Sequence, residues 1–302
     1  MMKEVIVYQI DSFTKEKFKG NPAGVVLNAE HLTADEMQLI ARELNNSETA
    51  FVFRPEQNKN FDYHVRYFTP TTEVPICGHA TIGALYAKAI EDQLDSCTIT
   101  IHTQVGVLPI DIVRRDHDYQ ITMTQGSFSL SSPFEPLIVR NIIQALGLQM
   151  EDLDEKCPVQ IASTGHSKVM IGIKSRSVLN QLTPNFDDLA HLSQEIKCNG
   201  YFVFTFDSDN EQVLTYGRMF APAIGISEDP VTGNANGPLG GYLVQNKIVD
   251  VSDETFEFIG RQGETINRIG EMKVEVNVAD HLPRTIRITG DAVSVFRTVM
   301  HV

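Results

Sequence analysis

The chain is short of basic residues: 25 lysines and arginines stand against 39 aspartates and glutamates, a formal charge of −14 at pH 7. That balance repels nucleic-acid phosphates and anionic lipid unless a local basic patch overrides it. The densest clusters, Lys15-Glu16-Lys17 with Lys19 and Arg114-Arg115, are interrupted or followed by acidic residues. Nucleic acid and membranes are therefore not expected partners. Cysteine is also scarce. Cys77, Cys97, Cys157 and Cys198 show no CxxC spacing, which argues against a disulfide framework or a structural zinc site. Cys97, Cys157 and Cys198 read as small buried apolar residues.

No apolar run reaches the roughly 18 residues of a membrane span. The first residues, MMKEVIVYQIDSF, alternate charged and apolar side chains and lack a signal-peptide core, so a cytoplasmic protein is expected. Low-complexity segments are missing, as are GxGxxG, the Walker lysine motif, HExxH and GxSxG. The histidines show no ligand spacing. Neither a metal nor a cofactor is expected.

What is present is a chain of 302 residues, 42% hydrophobic, long enough for two domains, and it repeats itself. LTADEMQLIARELNNSETAFVF (32–53) falls over LTPNFDDLAHLSQEIKCNGYFVF (182–204), and RYFTPTTEVPICGHATIGALY (66–86) over RMFAPAIGISEDPVTGNANGPLGGYL (218–243). A long period present only twice excludes a solenoid. It implies two similar halves related by a pseudo-twofold axis, with equivalent positions facing one another across a cleft. Cys77 then pairs with Thr232, Gly78 with Gly233, His79 with Asn234, Val74 with Asp229 and Glu48 with Asn199.

Local patterns fill in the halves. Thr33 and Glu36 form a capping box ahead of Met37, Ile40, Ala41 and Leu44, predicting an amphipathic helix over 34–45. The second copy has Thr183 as the expected N-cap and Pro184 at the first helical position. EVIVYQI, TITIHT, YQITMT, YFVFTF, FEFIG, KVEVN and TIRITG read as strands. The fold class is thus α+β. The Ser-, Gly- and Pro-rich stretch TQGSFSLSSPFEP (124–136) is the natural joint, giving domains 1–127 and 128–302 with the option that the final strand packs back on the first.

The chemistry gathers at two glycine corners, CGHAT and TGNANG. A glycine in the first turn of a helix leaves backbone N–H groups uncovered in a positive potential, so a carboxylate or phosphate can dock without lysine or arginine. Either corner alone is explained as an eased strand-to-helix turn. Occurring twice at matched positions, they read better as two halves of one anion site. Glu48 starts an otherwise apolar strand, and partial burial there would raise its pKa toward neutrality, as general acid/base work requires; accepting turn N–H bonds is its ordinary alternative. Asp229, in SEDPVTG, is either a turn-starting residue before proline or an acceptor for substrate or for His79. His79 stands at a helix start. Cys77 is a possible thiol base without a thiol mate, since Thr232 holds the matching place. Asn21, in GNPAGVV, sits in a tight turn that can lend an amide to the cleft.

GNPAGVV, SETAFV, FTPTTEVPICGHAT, STGHSKVMI and GRMFAPAIGISEDPVTGNANGPLGGYL together resemble the phenazine-biosynthesis PhzF-like family, in order and over almost the whole chain. That resemblance implies a diaminopimelate-epimerase-like fold: two pseudo-equivalent halves, each a curved, mostly antiparallel sheet or barrel around a central helix. It implies a cofactor-free isomerase, with a glutamate moving a proton between carbons of a cyclic amino-acid-like substrate, as in trans-2,3-dihydro-3-hydroxyanthranilate isomerase. By motif position the catalytic residues are Glu48, His79 and Asp229, and the substrate-binding residues are Asn21, Cys77, Gly78, Thr232, Gly233 and Asn234. Epimerase relatives use a cysteine from each half, whereas only Cys77 is present here. Gln262-Gly263 is kept, but Arg268-Ile269-Gly270 departs from the Arg-Pro-Ser-like run expected there. The resemblance also suggests a homodimer acting on a small anionic metabolite. Two rival functions stay open: a Cys77-dependent racemase or epimerase, and a non-catalytic small-anion-binding protein.

Overall fold

The computed structural model describes residues 3–55, 60–116, 118–251 and 254–302. They group into two compact units, Met1–Thr124 with Thr289–Val302, and Gln125–Ile288. Thr289–Val302, which a division at 127/128 leaves in the C-terminal half, are therefore counted with the first unit.

In the first unit β1 (Glu4–Ser12) pairs antiparallel with β2 (Asn21–Leu27). The chain then crosses through α1 (Ala34–Leu44) and returns as β3 (Thr49–Phe53), parallel to β2. A parallel pair cannot be joined by a tight turn, so a crossover helix is needed. Thr33 and Glu36 close the capping box, and Met37, Ile40 and Ala41 are buried. Burying Met37 and Ile40 stabilises by roughly 1.5–3 kcal/mol each, and the single methyl of Ala41 by less. β4 (Tyr63–Phe68) lies antiparallel to β3, and the short β5 (Glu73–Val74) antiparallel to β4.

After β5 comes α2 (Gly78–Asp92), then β6 (Cys97–Thr103) parallel to β4, and the antiparallel β7 (Gly106–Arg115) and β8 (Asp118–Thr124). The last strand of the chain pairs with both β8 and β1, so the ring of strands closes and leaves no edge. α2 is the core of this ring. His79 through Ala89 are all buried, and the helix packs on β1, β2, β3, β7 and β8. A helix apolar around its whole circumference requires such enclosure. Cys97 corrects one expectation. It is exposed, because the first residues of β6 precede the stretch that alternates into the core, while Cys157 and Cys198 are buried.

The second unit begins with β9 (Ser129–Leu130), α3 (Pro136–Ala145), β10 (Gln160–Ser163) and β11 (Lys168–Ile173). From β11 the pairing order of the first unit recurs. α4 (Arg176–Asn180) and α5 (Phe186–Ile196) cross over to β12 (Tyr201–Thr205), parallel to β11. β13 (Thr215–Ala221) and β14 (Ile226–Asp229) follow antiparallel, then α6 (Gly233–Gln245), then β15 (Thr255–Gln262) parallel to β13. β16 (Gly270–Ala279) is antiparallel to β15. It leads through Asp280 and His281, with φ of 54° and 59°, into β17 (Leu282–His301). Two left-handed residues in succession are what a tight hairpin turn demands. α6 is buried from Ala235 to Val244 and packs on β10, β11, β15 and β16.

The registers agree at the corners but not one strand back. Val74 opposes Tyr67 and Asp229 opposes Met219, in each case the residue after Arg66 or Arg218. On the other side, Arg66 opposes Phe51 and Arg218 opposes Val203, which sets Glu48 level with Gly200 rather than with Asn199, the partner that the repeat alignment gave it. One cap does not follow the repeat. α5 starts at Phe186, and its N-cap is Asn185, whose side chain accepts from the N–H groups of Asp187 and Asp188. Thr183 and Pro184 lie ahead of the helix. Asn185 fills the cap because its short amide reaches two orphan donors at once.

Candidate active site

Glu48, Cys77 and His79 come together in the first unit. Glu48 immediately precedes β3 and is held to β2, its carbonyl accepting from Gly24 N–H at 3.2 Å, and its side chain is 16% exposed. His79, on the first turn of α2, is 8% exposed at its side chain and places Nε2 3.5 Å from Glu48 Oε2. Ser47 Oγ stands 3.4 Å from the same nitrogen, and Cys77 Sγ 3.4 Å from Nδ1 on the other side of the ring. Ser12 Oγ donates to the His79 carbonyl at 2.8 Å and Thr81 Oγ1 to the Cys77 carbonyl at 2.7 Å, so the corner's backbone is pinned. Tyr67, whose phenol is pushed up by burial, meets Thr81 Oγ1 at 2.7 Å.

The imidazole thus bridges a carboxylate and a thiol. A neutral imidazole carries one N–H, so its tautomer decides which end receives a proton and which gives one. The donor atoms of Glu48, Cys77 and His79 all lie within 4.8 Å of one another. However, His79 turns opposite ring nitrogens to its two partners, and a single ion could use only one of them. The row can pass a proton, and one atom from each of the same three side chains is also close enough to share a metal ion.

The helix start beside this row is open. α2 has Cys77 as N-cap with no side-chain cap bond and no acidic residue in its first turn, and a Cβ at Gly78 would meet nothing within 4 Å. α1, α4 and α5 are each capped by a side chain. The first N–H groups of α2 are therefore available to an anion in a way theirs are not.

The second unit builds its own corner from Asp229, Thr232, Gly233 and Asn234. α6 likewise starts with no side-chain cap bond and no first-turn acid, with Thr232 as N-cap and Gly233 as first residue. Asp229 is buried at the end of β14, and its Oδ2 accepts from Thr232 Oγ1. Asn234 is half-buried in the first turn. Asn21, in the first unit, is fully buried as the first residue of β2, opposite Ser12.

Sequence reasoning passed over several neighbours. Ser47 lies inside the SETAFV motif and touches His79. Gln125 Nε2 donates to Gly233 O at 3.0 Å and its Oε1 accepts from Thr164 at 2.8 Å. Gln262 sits under the second corner with 1% exposure. Lys168 is buried, which holds its ammonium below the usual lysine range, with Cys198 and Asp229 pulling the other way. The STGHSK motif and the retained Gln262-Gly263 pair were the available signals; neither reveals its hydrogen bonds without coordinates.

A carboxylate, an imidazole and a thiol thus stand in a row beside an uncapped helix start, groups that can exchange protons next to N–H groups that can receive an anion. The chain belongs to the PhzC-PhzF family of phenazine biosynthesis-like proteins, whose pattern it matches over residues 10–298. It is 54% identical over 298 residues to an uncharacterized isomerase of Clostridium acetobutylicum, covering 99% of this chain and 98% of that one. It is 29% identical over 288 residues to the trans-2,3-dihydro-3-hydroxyanthranilate isomerase of Pseudomonas aeruginosa, covering 93% and 94%. The crystal structure of a Bacillus anthracis PhzF-family protein superposes with a TM-score of 0.89 at 33% identity, over 99% of both chains. The protein is an isomerase of this family. Among the described residues no helix is long and apolar enough to cross a membrane.

Proposed function

We propose that this isomerase moves a proton between two carbons of a small carboxylate-bearing metabolite without a cofactor, with Glu48 as general acid/base. The observation that carries this reading is the partly enclosed Glu48 carboxylate 3.5 Å from His79 Nε2, beside the uncapped start of α2. Glu48 takes the proton from one carbon and returns it to another, and His79 orients its carboxylate. The helix N–H groups hold the substrate carboxylate and offset enolate-like charge as the C–H bond breaks. Asp229, Thr232, Gly233 and Asn234 are assigned to substrate binding by the same logic at the start of α6, and Asn21 as a further amide donor.

Deuterium wash-in from D₂O, followed by NMR over a panel of small cyclic and amino-acid-like carboxylates, tests this. Wild-type protein is expected to exchange a carbon-bound hydrogen, and Glu48→Gln to be slower by roughly 10²- to 10⁴-fold with its fold intact. Undiminished exchange in Glu48→Gln removes Glu48 from the mechanism. Saturable binding without exchange by wild type favours a binding protein instead.

A second reading has its own observation. Cys77 Sγ lies 3.4 Å from His79 Nδ1 at a helix N-terminus, a place that favours thiolate. If Cys77 is the base of a one-centre racemisation, Cys77→Ala abolishes exchange. Under the glutamate reading it only perturbs the rate.

A further inference from the structure

The second corner contains a hydrogen-bond order that backbone groups alone determine. Thr232 offers its carbonyl to Asn236, so the Asn236 atom facing it, at 3.2 Å, is Nδ2. Thr232 N–H points at Gln262 from 3.0 Å, so the Gln262 atom receiving it is Oε1, and this oxygen also accepts from Asn236 Nδ2 at 2.6 Å. Neither amide can be flipped without setting donor against donor or acceptor against acceptor. Gln262 Nε2 is then the atom that faces the Asp229 carbonyl and Thr232 Oγ1, each at 3.4 Å. Thr232 Oγ1 thus accepts from Gln262 on one side and donates its single proton to Asp229 Oδ2 on the other.

We propose that Gln262 is a positioning residue: acting through Thr232, it fixes Asp229 Oδ2 as a hydrogen-bond acceptor and so favours the carboxylate over the acid at the start of α6. The inference rests on the reading above that Asp229 belongs to the substrate-binding machinery. The charges around Asp229 agree with it. Lys168 on β11 couples favourably to the Asp229 carboxylate. The neighbouring Glu228 is turned to Arg218, with contacts of 3.0 and 2.7 Å, and to Thr265 at 3.1 Å. Gln262 is 1% exposed and touches no solvent that could take over its donors. A substrate donor, an ammonium or a hydroxyl, then meets a fixed acceptor rather than a group that must first lose a proton.

The experiment uses the full chain labelled with carbon-13 at aspartate side-chain carboxyls, with the Asp229 signal assigned through Asp229→Asn. At pH 7 the wild-type signal is expected at the carboxylate position. Gln262→Glu keeps the shape but has no donor for Thr232 Oγ1, and sets a second acid near Asp229; the signal is expected to move toward the carboxylic acid. Gln262→Met keeps the volume, removes all four side-chain bonds and should shift it less. With any substrate found by the exchange panel, Gln262→Glu should lose about 10²-fold in kcat, the usual cost of a misplaced group, and should lower the thermal midpoint because it buries a second acid. An Asp229 signal that reads protonated in wild type, or stays in one place in wild type and both variants, overturns the proposal. The carboxyl signal needs no substrate, so an unresponsive panel strikes the proposed function and leaves this inference to be decided on its own.

Discussion

Two glycines show how much the surroundings of a single residue decide. Gly78 opens α2, and an added Cβ there would meet nothing within 4 Å. Gly78→Ala should therefore fold as well as wild type or gain up to about 1 kcal/mol, since alanine has less unfolded-state freedom to lose. The same methyl stands where a substrate carboxylate would approach the helix N–H groups, so wash-in activity should fall. A variant that keeps full exchange activity would show that no ligand uses this helix start. Gly263 is the opposite case. Its φ is +85°, and a Cβ would lie 2.2 Å from the Arg268 carbonyl oxygen and 3.2 Å from that of Pro230, both backbone atoms that cannot swing aside. Gly263→Ala should cost about 2–3 kcal/mol, read as a lower urea midpoint with an unchanged slope. Gln262 is the residue next to it, which ties the acceptor order at Asp229 to this turn.

The strands leading into the two corners are held by the same device. Arg66 grips Glu73 through two contacts of 2.7 Å and lies over the Phe68 ring at 5.1 Å. Arg218 grips Glu228 at 3.0 and 2.7 Å and lies over Phe220 at 5.0 Å. The clamps differ in exposure: 26% and 25% for the first pair of side chains, 10% and 11% for the second, where Arg218 also donates to the Leu179 and Leu182 carbonyls. Removing one partner of a buried pair strands a charge that water cannot reach, whereas a part-exposed pair is screened. Glu228→Gln should therefore destabilise by about 3 kcal/mol or more, and Glu73→Gln by about 1 kcal/mol. Equal losses in matched urea titrations would mean that burial is not what separates them. The matched Arg-x-Phe-x-Pro skeleton was legible in the sequence, as were α1 and its capping box and the two glycine corners, because each rests on spacing along one stretch of chain. The clamp partners were not, since seven and ten residues separate each arginine from its glutamate across a turn. The cap of α5 was misplaced because the repeat aligned threonine with threonine while Asn185 had the better reach. Exposure of Cys97 depends on where β6 begins to alternate into the core, which periodicity leaves open by a residue or two.

For the whole chain, the titrating groups predict stability that fails at both ends of the pH range for opposite reasons. On the acid side, the Lys3 ammonium holds Glu36 down from 4.5 to about 2, and guanidinium groups hold Glu73, Glu91 and Asp209 below the usual carboxylate range. A carboxylate depressed in the folded state contributes stability above its unfolded value and loses it as pH falls through the folded one, so this limb runs from about pH 4.5 toward 2. Asp291 works in the other direction, since burial raises it and its folded form takes up a proton more readily. On the alkaline side, burial pushes Tyr201 up from 10.0 to about 12 and raises Tyr67 and Tyr242 as well; none of the three has exposed surface. Their contribution is complete below pH 10 and is lost as pH rises through the folded values, because the unfolded chain ionises first. Each can remove up to about 1.4 kcal/mol per pH unit over that interval. Urea midpoints should thus form a plateau between about pH 5 and 9 and fall on both flanks. Tyr67→Phe removes the phenol and leaves Thr81 its bond to the Cys77 carbonyl, so it should move the alkaline flank upward while the acid flank stays in place. An alkaline flank that does not move would assign the loss to other groups, Cys157 first among them, since burial raises its thiol from 9.0 to about 12.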